Sequence, residues 1–220
     1  MGAATHGGNG RGAESNGASL ATLAQQLESV DPGAIAHGRA VAALAVEMGR
    51  QLELDAAALA AIEVGATLHD VGKLVLSPTV LRKPGPLTEA EWEVMRTHPS
   101  EGERLLAPMI HSGDALAVVR SHHERWDGDG YPSGLAGEEI PLPARIVAAA
   151  DAFYAMTHDR PYRRAMSRAA ALIELIRNAG SQFDAACVET LLKITRWSSN
   201  GSTRKAESPR RSATRTQRAV

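Results

Sequence analysis

Apolar residues recur through the middle of the chain at the three-to-four spacing of α-helices, and no segment alternates like a strand. Over 34–52, His37, Val41, Leu44 and Met48 step by four, three and four, so they share one helical face. Over 56–73, Ile62, Ala66, His69 and Lys73 step in the same way. Thr88 followed by Glu91 forms a capping box that announces a helix through Trp92 and Met95. Pro99 ends that helix and opens the next, which carries Leu105 and Leu106. Further helices are expected over 114–123, from Pro143 through Ile146 and Asp151 towards Met156, over 167–179, and over 184–197. The stretch WDGDGYPSGLAG over 126–137 is too rich in glycine for a helix, and a loop of that length inside a compact domain tends to serve function. The pattern predicts an all-α bundle of about seven or eight helices carrying one long Gly-rich loop.

Composition sharpens this picture in three ways. Hydrophobic residues make up 44% of the 220, but aromatics only 4%, so alanine fills much of the core and favours closely packed helices. The ends differ from the body. Residues 1–17 are rich in glycine and have nothing to bury, and residues 198–220 carry six basic side chains between Arg204 and Arg218 against only Glu207. The expected organisation is therefore a disordered N-terminus over 1–17, a folded domain over 18–197, and a basic disordered tail over 198–220. A net charge of -1 gives no general attraction to nucleic acid or membrane, which leaves the tail as the one element suited to weak phosphate-backbone contact. There is no apolar stretch of membrane-spanning length and no secretory signal, so a soluble cytoplasmic protein is expected. The lone Cys187, set among apolar helical residues, reads as an inert core thiol in a reduced compartment.

The histidines carry the chemistry. His37 heads the apolar stripe of its helix, while His69 and Asp70 close theirs. His98 stands at a helix junction before Pro99. His122 and His123 are adjacent, and on a regular helix they would point about 100° apart. They converge most easily at a fraying helix end, which the following glycine loop suggests. Asp151 lies in the apolar run IVAAADAF, where an ionised carboxylate needs a cation to face. Any one of these is ordinarily a satisfied core residue. Together, five histidines and two aspartates at helix ends form a ligand set for two cations of the Fe, Mn, Zn or Ni type. A serine-hydrolase elbow, a P-loop and a dinucleotide-binding glycine fingerprint are all missing, so metal-assisted hydrolysis remains.

The string HDVGK over 69–73, followed by HHERWDGDGYP over 122–132, resembles the HD-GYP phosphodiesterases of bacteria. The likeness extends to KPGPLTEAEW over 83–92, EIPLPAR over 139–145 and DRPYR over 159–163, and so covers essentially the whole body. It implies an HD-type helical bundle with a GYP loop, and hydrolysis of cyclic di-GMP to linear pGpG or GMP with two or three iron or manganese ions. Carried over by position, the metal ligands are His37, His69, Asp70, His98, His122, His123 and Asp151, with Asp70 bridging. Some members hold a third metal through a glutamate four residues before the first histidine. Gly33 stands there, so two metals are expected. Lys73 would protonate the leaving 3′ oxygen or stabilise its charge, and Tyr131 would stack on or hydrogen-bond the nucleotide. Arg160 and Arg163 would contact phosphate. The GYP loop could also dock diguanylate cyclase (GGDEF) domains.

Two positions depart from the family pattern. Tyr154 replaces an aspartate usual three residues after the last metal ligand, and Ala40 replaces an arginine, although Arg39 is adjacent. Neither removes a ligand. The rival readings are a catalytically impaired module that binds nucleotide or protein, and a hydrolase of another phosphoester such as a hybrid cyclic dinucleotide. Metal ligands do not read bases.

Overall fold

Ser19 opens the first helix by accepting a hydrogen bond from the Thr22 amide, as an N-cap does. A computed structural model describes residues 19–159 and 164–203. Helix α1 (Leu20–Val30) buries Leu23 and Leu27. The Glu28 carboxylate then accepts from Gly33 N at 2.7 Å and Ile35 N at 3.2 Å. This satisfies amides that the start of α2 (Ala34–Gln51) would otherwise leave without partners. Helix α2 buries Val41, Ala45 and Met48, and α3 (Ala56–Thr67), capped by Asp55, packs along it.

The helix expected over 56–73 stops at Thr67. The His69 ring donates from Nδ1 to the Ala66 carbonyl at 2.7 Å, occupying the acceptor that the Asp70 amide would use to continue the helix. The chain turns at 68–70 and enters a 3₁₀ segment, Val71–Val75. After the short α4 (Pro78–Leu81) comes α5 (Glu89–Met95), with the Thr88–Glu91 capping box in place and Lys83 paired with Glu91. Helix α6 (His98–Leu106) begins at His98 itself, so the residue before Pro99 is helical rather than extended. Helix α7 (Gly113–Ser121) leads into the Gly-rich loop, which closes with a 3₁₀ turn at Gly137–Glu139. Helices α8 (Leu142–Thr157), α9 (Arg168–Arg177) and α10 (Ala185–Thr203) follow.

Among the described residues there is no strand, only an isolated bridge between Ala179 and Phe183. The ten α-helical segments among the described residues are the eight that periodicity predicts, together with α1 and the single-turn α4. Helix α10 continues to Thr203, past the expected end at 197. Residues 1–18 and 204–220, which hold most of both expected tails, lie outside the described residues. No helix among the described residues is long and apolar enough to cross a membrane. Cys187 is free and buried, and burial pushes its thiol up to about 12, as an inert core thiol requires.

Two apolar clusters fill the interior. The larger joins α2, α3, α7, α8, α9 and α10 around Met48, Ile62, Ile146, Leu175 and Leu191. The smaller joins α1, the 3₁₀ segment, α6 and α7 around Leu27, Val71, Leu106 and Val119. Two glycines fix how closely the elements at the seam approach. A Cβ on Gly38 would lie 2.3 Å from the Thr67 carbonyl oxygen, so α2 meets the end of α3 backbone to backbone. A Cβ on Gly72 would lie 1.8 Å from the His98 carbonyl oxygen, so the 3₁₀ segment is pressed on the start of α6. These two contacts put His37, His69, Asp70 and His98 side by side.

Candidate metal centre

Seven side chains from five elements meet at this seam. His37 comes from α2, His69 and Asp70 from the turn after α3, and His98 from the first turn of α6. His122 and His123 follow the last turn of α7, and Asp151 projects from the middle of α8. The adjacent histidines converge because α7 ends between Ser121 and His122, and their rings lie 4.1 Å apart. The donor atoms fall into two groups, His98 with His122 and His123, and His37 with His69 and Asp70; within each group they lie within 4.8 Å of one another. Asp70 joins the groups: its Oδ2 is 3.3 Å from His69 Nε2 and its Oδ1 is 3.5 Å from His98 Nε2.

Backbone carbonyls fix the tautomers. His69, His98 and His122 each have Nδ1 within 2.7–2.8 Å of the carbonyl oxygen three residues back. A carbonyl only accepts, so each Nδ1 carries the proton and each Nε2 is directed into the site. Burial, reinforced by His123 and His69, holds His122 well below the usual histidine range. Burial and His98 bring His123 down to about 4, and burial also lowers His98. These three are neutral, the form that ligates metal. His69 differs. Burial alone would lower it, but the Asp70 carboxylate outweighs burial and raises it to about 9. Burial opposes the charge on Asp70, yet Lys73 and His69 hold its carboxyl well below the usual range.

Asp151 Oδ1 sits 3.0 Å from His37 Nε2, an ion-pair distance, and that oxygen is buried without a well-placed hydrogen-bond donor. Lys73 Nζ contacts Asp70 Oδ2 at 2.9 Å and Asp31 Oδ2 at 3.0 Å. In the 3₁₀ segment residues three apart eclipse, so Lys73 still reaches back to Asp70 although the predicted helix has ended. Tyr131 packs on His123 at 4.9 Å and faces His98 at 6.4 Å. A cleft of about 770 Å³ opens over the donors, within the roughly 300–1,000 Å³ usual for small-molecule sites.

A family model described as HD domain matches residues 21–187. The chain is 45% identical over 178 residues to the cyclic di-GMP phosphodiesterase response regulator RpfG of Xanthomonas campestris pv. campestris, covering 79% of this chain and 47% of that protein. It is 36% identical over 167 residues to the 3′3′-cGAMP-specific phosphodiesterase 3 of Vibrio cholerae, covering 76% of this chain and 36% of that one. Its fold matches the crystal structure of a cyclic GMP-AMP-specific phosphodiesterase of Vibrio cholerae (V-cGAP3) with a TM-score of 0.62 at 22% identity, over 84% of this chain and 49% of that one. The chain belongs to the HD domain family, in its HD-GYP branch. It spans about half the length, or less, of the curated relatives it matches.

This HD-GYP domain brings together all seven of the sequence-predicted ligand positions, with Lys73 and Tyr131 beside them. Arg160 and Arg163 lie outside the described residues. Gly33 contributes no side chain to the cleft it lines. Three features escape the sequence pattern. Asp31, in the turn after α1, carries no functional mark in the sequence, yet it holds Lys73. Glu124 is buried and accepts from Ser133 N at 2.7 Å and Leu135 N at 3.2 Å, which staples the GYP loop to the end of α7. Tyr154 packs against His37 at 5.0 Å and stacks on His158. Tyr154 lies in the last turn of α8 and His158 is the extended residue that follows the helix, so their spacing of four is the only signal for that pair in the sequence.

Proposed function

We propose that residues 18–197 form a phosphodiesterase domain that hydrolyses cyclic di-GMP to linear pGpG or GMP with two divalent ions, iron or manganese. One observation carries this reading: two three-residue donor groups joined by the Asp70 carboxylate, with the Asp151 oxygen buried beside them without a donor. A buried carboxylate oxygen without a donor is costly, and a cation at the adjoining group of His37, His69 and Asp70 would relieve it. The neutral imidazoles and carboxylates suit iron or manganese, and the absence of thiolates at the described site disfavours a structural zinc knot. Bound there, such ions supply Lewis-acid polarisation of the phosphodiester and water of lowered pKa.

The remaining roles belong to the chain. Asp70 and Asp31 hold the Lys73 ammonium above the usual lysine range, so Lys73 stays charged and serves to stabilise the leaving 3′ oxygen electrostatically. Tyr131, held beside His98 and His123 by the stapled loop, provides an apolar face for the nucleotide. Arg160 and Arg163 are proposed as phosphate contacts. The relatives' names divide between cyclic di-GMP and 3′3′-cGAMP, and the same donors serve either diester, so a hybrid cyclic dinucleotide is the second substrate to test.

The deciding experiment measures turnover of cyclic di-GMP and 3′3′-cGAMP by protein purified without oxygen and loaded with Fe(II) or Mn(II), beside Asp70→Ala. Product from the intact protein, abolished in the variant, is expected. No turnover of either nucleotide by protein holding two metals would overturn the reading.

A further inference from the structure

The donor array has an aromatic side chain at each end. Tyr131 adjoins the His98, His122 and His123 group, and Tyr154 adjoins His37 in the other group. Tyr154 does not stand alone. Its ring stacks on His158, one turn later, with centroids 3.7 Å apart and planes 10° from parallel. The His158 ring is fixed by its own backbone: Nδ1 lies 3.0 Å from the Tyr154 carbonyl oxygen, which can only accept, so Nδ1 carries the proton. Tyr154 is half-buried, His158 is exposed, and both line the cleft. The result is an aromatic surface that starts at His37 and continues through Tyr154 to His158 along the cleft.

Resting on the proposed function, we propose that the Tyr154–His158 pair is a stacking platform for one purine base of the cyclic dinucleotide. A cyclic dinucleotide carries a base on either side of its phosphodiester ring. With the reacting phosphate over the donors, one base falls on the Tyr131 side and the other on the Tyr154 side. Aromatic side chains bind bases through their faces, which every purine presents, so the platform confers affinity for the nucleotide without by itself separating guanine from adenine. A metal centre alone distinguishes poorly between phosphodiesters. The platform supplies the preference for a diester that carries a base at this position.

The test uses a cyclic dinucleotide with 2-aminopurine in place of one base, whose fluorescence falls when it stacks, together with metal-loaded protein. Binding is expected to quench the probe. Tyr154→Phe, which keeps the ring, should retain the quench, and Tyr154→Leu should lose it. His158→Ala, a substitution at an exposed position, should weaken it. In kinetics, Tyr154→Leu should lower kcat/KM for cyclic di-GMP by roughly ten-fold or more relative to ethyl p-nitrophenyl phosphate, a diester without a purine. Equal quenching in all four proteins, or no quenching by the intact protein, overturns the platform. Equal losses on both substrates also overturn it, because the pair would then act by positioning His37. Intact protein that hydrolyses the simple diester and quenches the probe, but leaves cyclic dinucleotides uncleaved, defeats the proposed function and retains the platform.

Discussion

His98 and His122 face each other Nε2 to Nε2 at 3.3 Å, while the Nδ1 of each already donates to a main-chain carbonyl. Both rings are held neutral by burial, so two lone pairs point at one another inside the protein. Such an arrangement costs stability unless a cation lies between or beside the nitrogens. Metal binding should therefore stabilise the fold as well as complete the site. At free Mn(II) one hundred times its Kd, the gain should be about 3 kcal/mol, seen as a higher midpoint in chemical denaturation and reversed by a chelator. An unchanged midpoint across the metal titration would count against a site at His98 and His122.

The proton balance of metal uptake follows from the unequal histidines. His69 is raised from 6.5 to about 9 by Asp70 against the opposing effect of burial, so at neutral pH its Nε2 is protonated. A metal at that nitrogen must displace the proton, whereas His98, His122 and His123 are lowered and have none to lose. Uptake near pH 7 should release the His69 proton, and apparent affinity at that group should rise with pH until about 9. Without added metal the sign is opposite. The charged His69–Asp70 pair contributes stability that is complete below pH 6.5 and lost as pH rises through about 9. Calorimetry in buffers of different ionisation enthalpy measures the released proton directly.

Much of this site is legible in the sequence because its candidate ligands mark helix ends and faces. The stripe through His37, Val41 and Met48 and the adjacent histidines before a glycine loop require only helical periodicity and a place where a helix stops. Other features depend on contacts between elements that periodicity does not encode. Asp31 finds Lys73 across 42 positions, and Glu124 pins a loop 9 to 11 residues ahead. Helix α3 ends at Thr67 because a histidine side chain captures a carbonyl, while the apolar pattern continues past that point. Gly38 and Gly72 carry no mark in the apolar pattern, yet their role is to let backbones touch.

That role predicts a sharp contrast between glycines. A Cβ at Gly72 would meet the His98 carbonyl oxygen at 1.8 Å and the Gly102 nitrogen at 2.6 Å, both main-chain atoms with little freedom to yield. In Gly72→Ala the 3₁₀ segment must withdraw from α6, separating Asp70 from His98. A loss of about 1–3 kcal/mol is expected in urea unfolding, with fewer metal ions retained per chain by elemental analysis. Gly113 at the start of α7 has nothing within 4 Å of its Cβ position, so Gly113→Ala should change neither measurement appreciably. Equal behaviour of the two variants would show that the approach of the 3₁₀ segment to α6 does not assemble the site.

Glu124 offers the last prediction, because it separates loop order from metal ligation. Its buried carboxylate receives the Ser133 and Leu135 amides, two bonds strengthened by the acceptor's charge. Glu124 is not one of the grouped donors, and Tyr131, two residues before Ser133, sits beside His123 through its own amide on the His123 carbonyl and through the loop that Glu124 holds. Glu124→Ala leaves two part-buried amides without an acceptor, at a cost of about 2–4 kcal/mol for the pair. Glu124→Gln keeps the shape and one acceptor oxygen, so it should lose less. In hydrogen exchange, the Ser133 and Leu135 amides should lose protection in Glu124→Ala, while the amides of α2 and α8 keep theirs. Metal content should hold while KM for the nucleotide rises, since the ligands stay in place and the Tyr131 face does not. Loss of metal together with loop protection would show instead that the loop is part of the metal centre's own support.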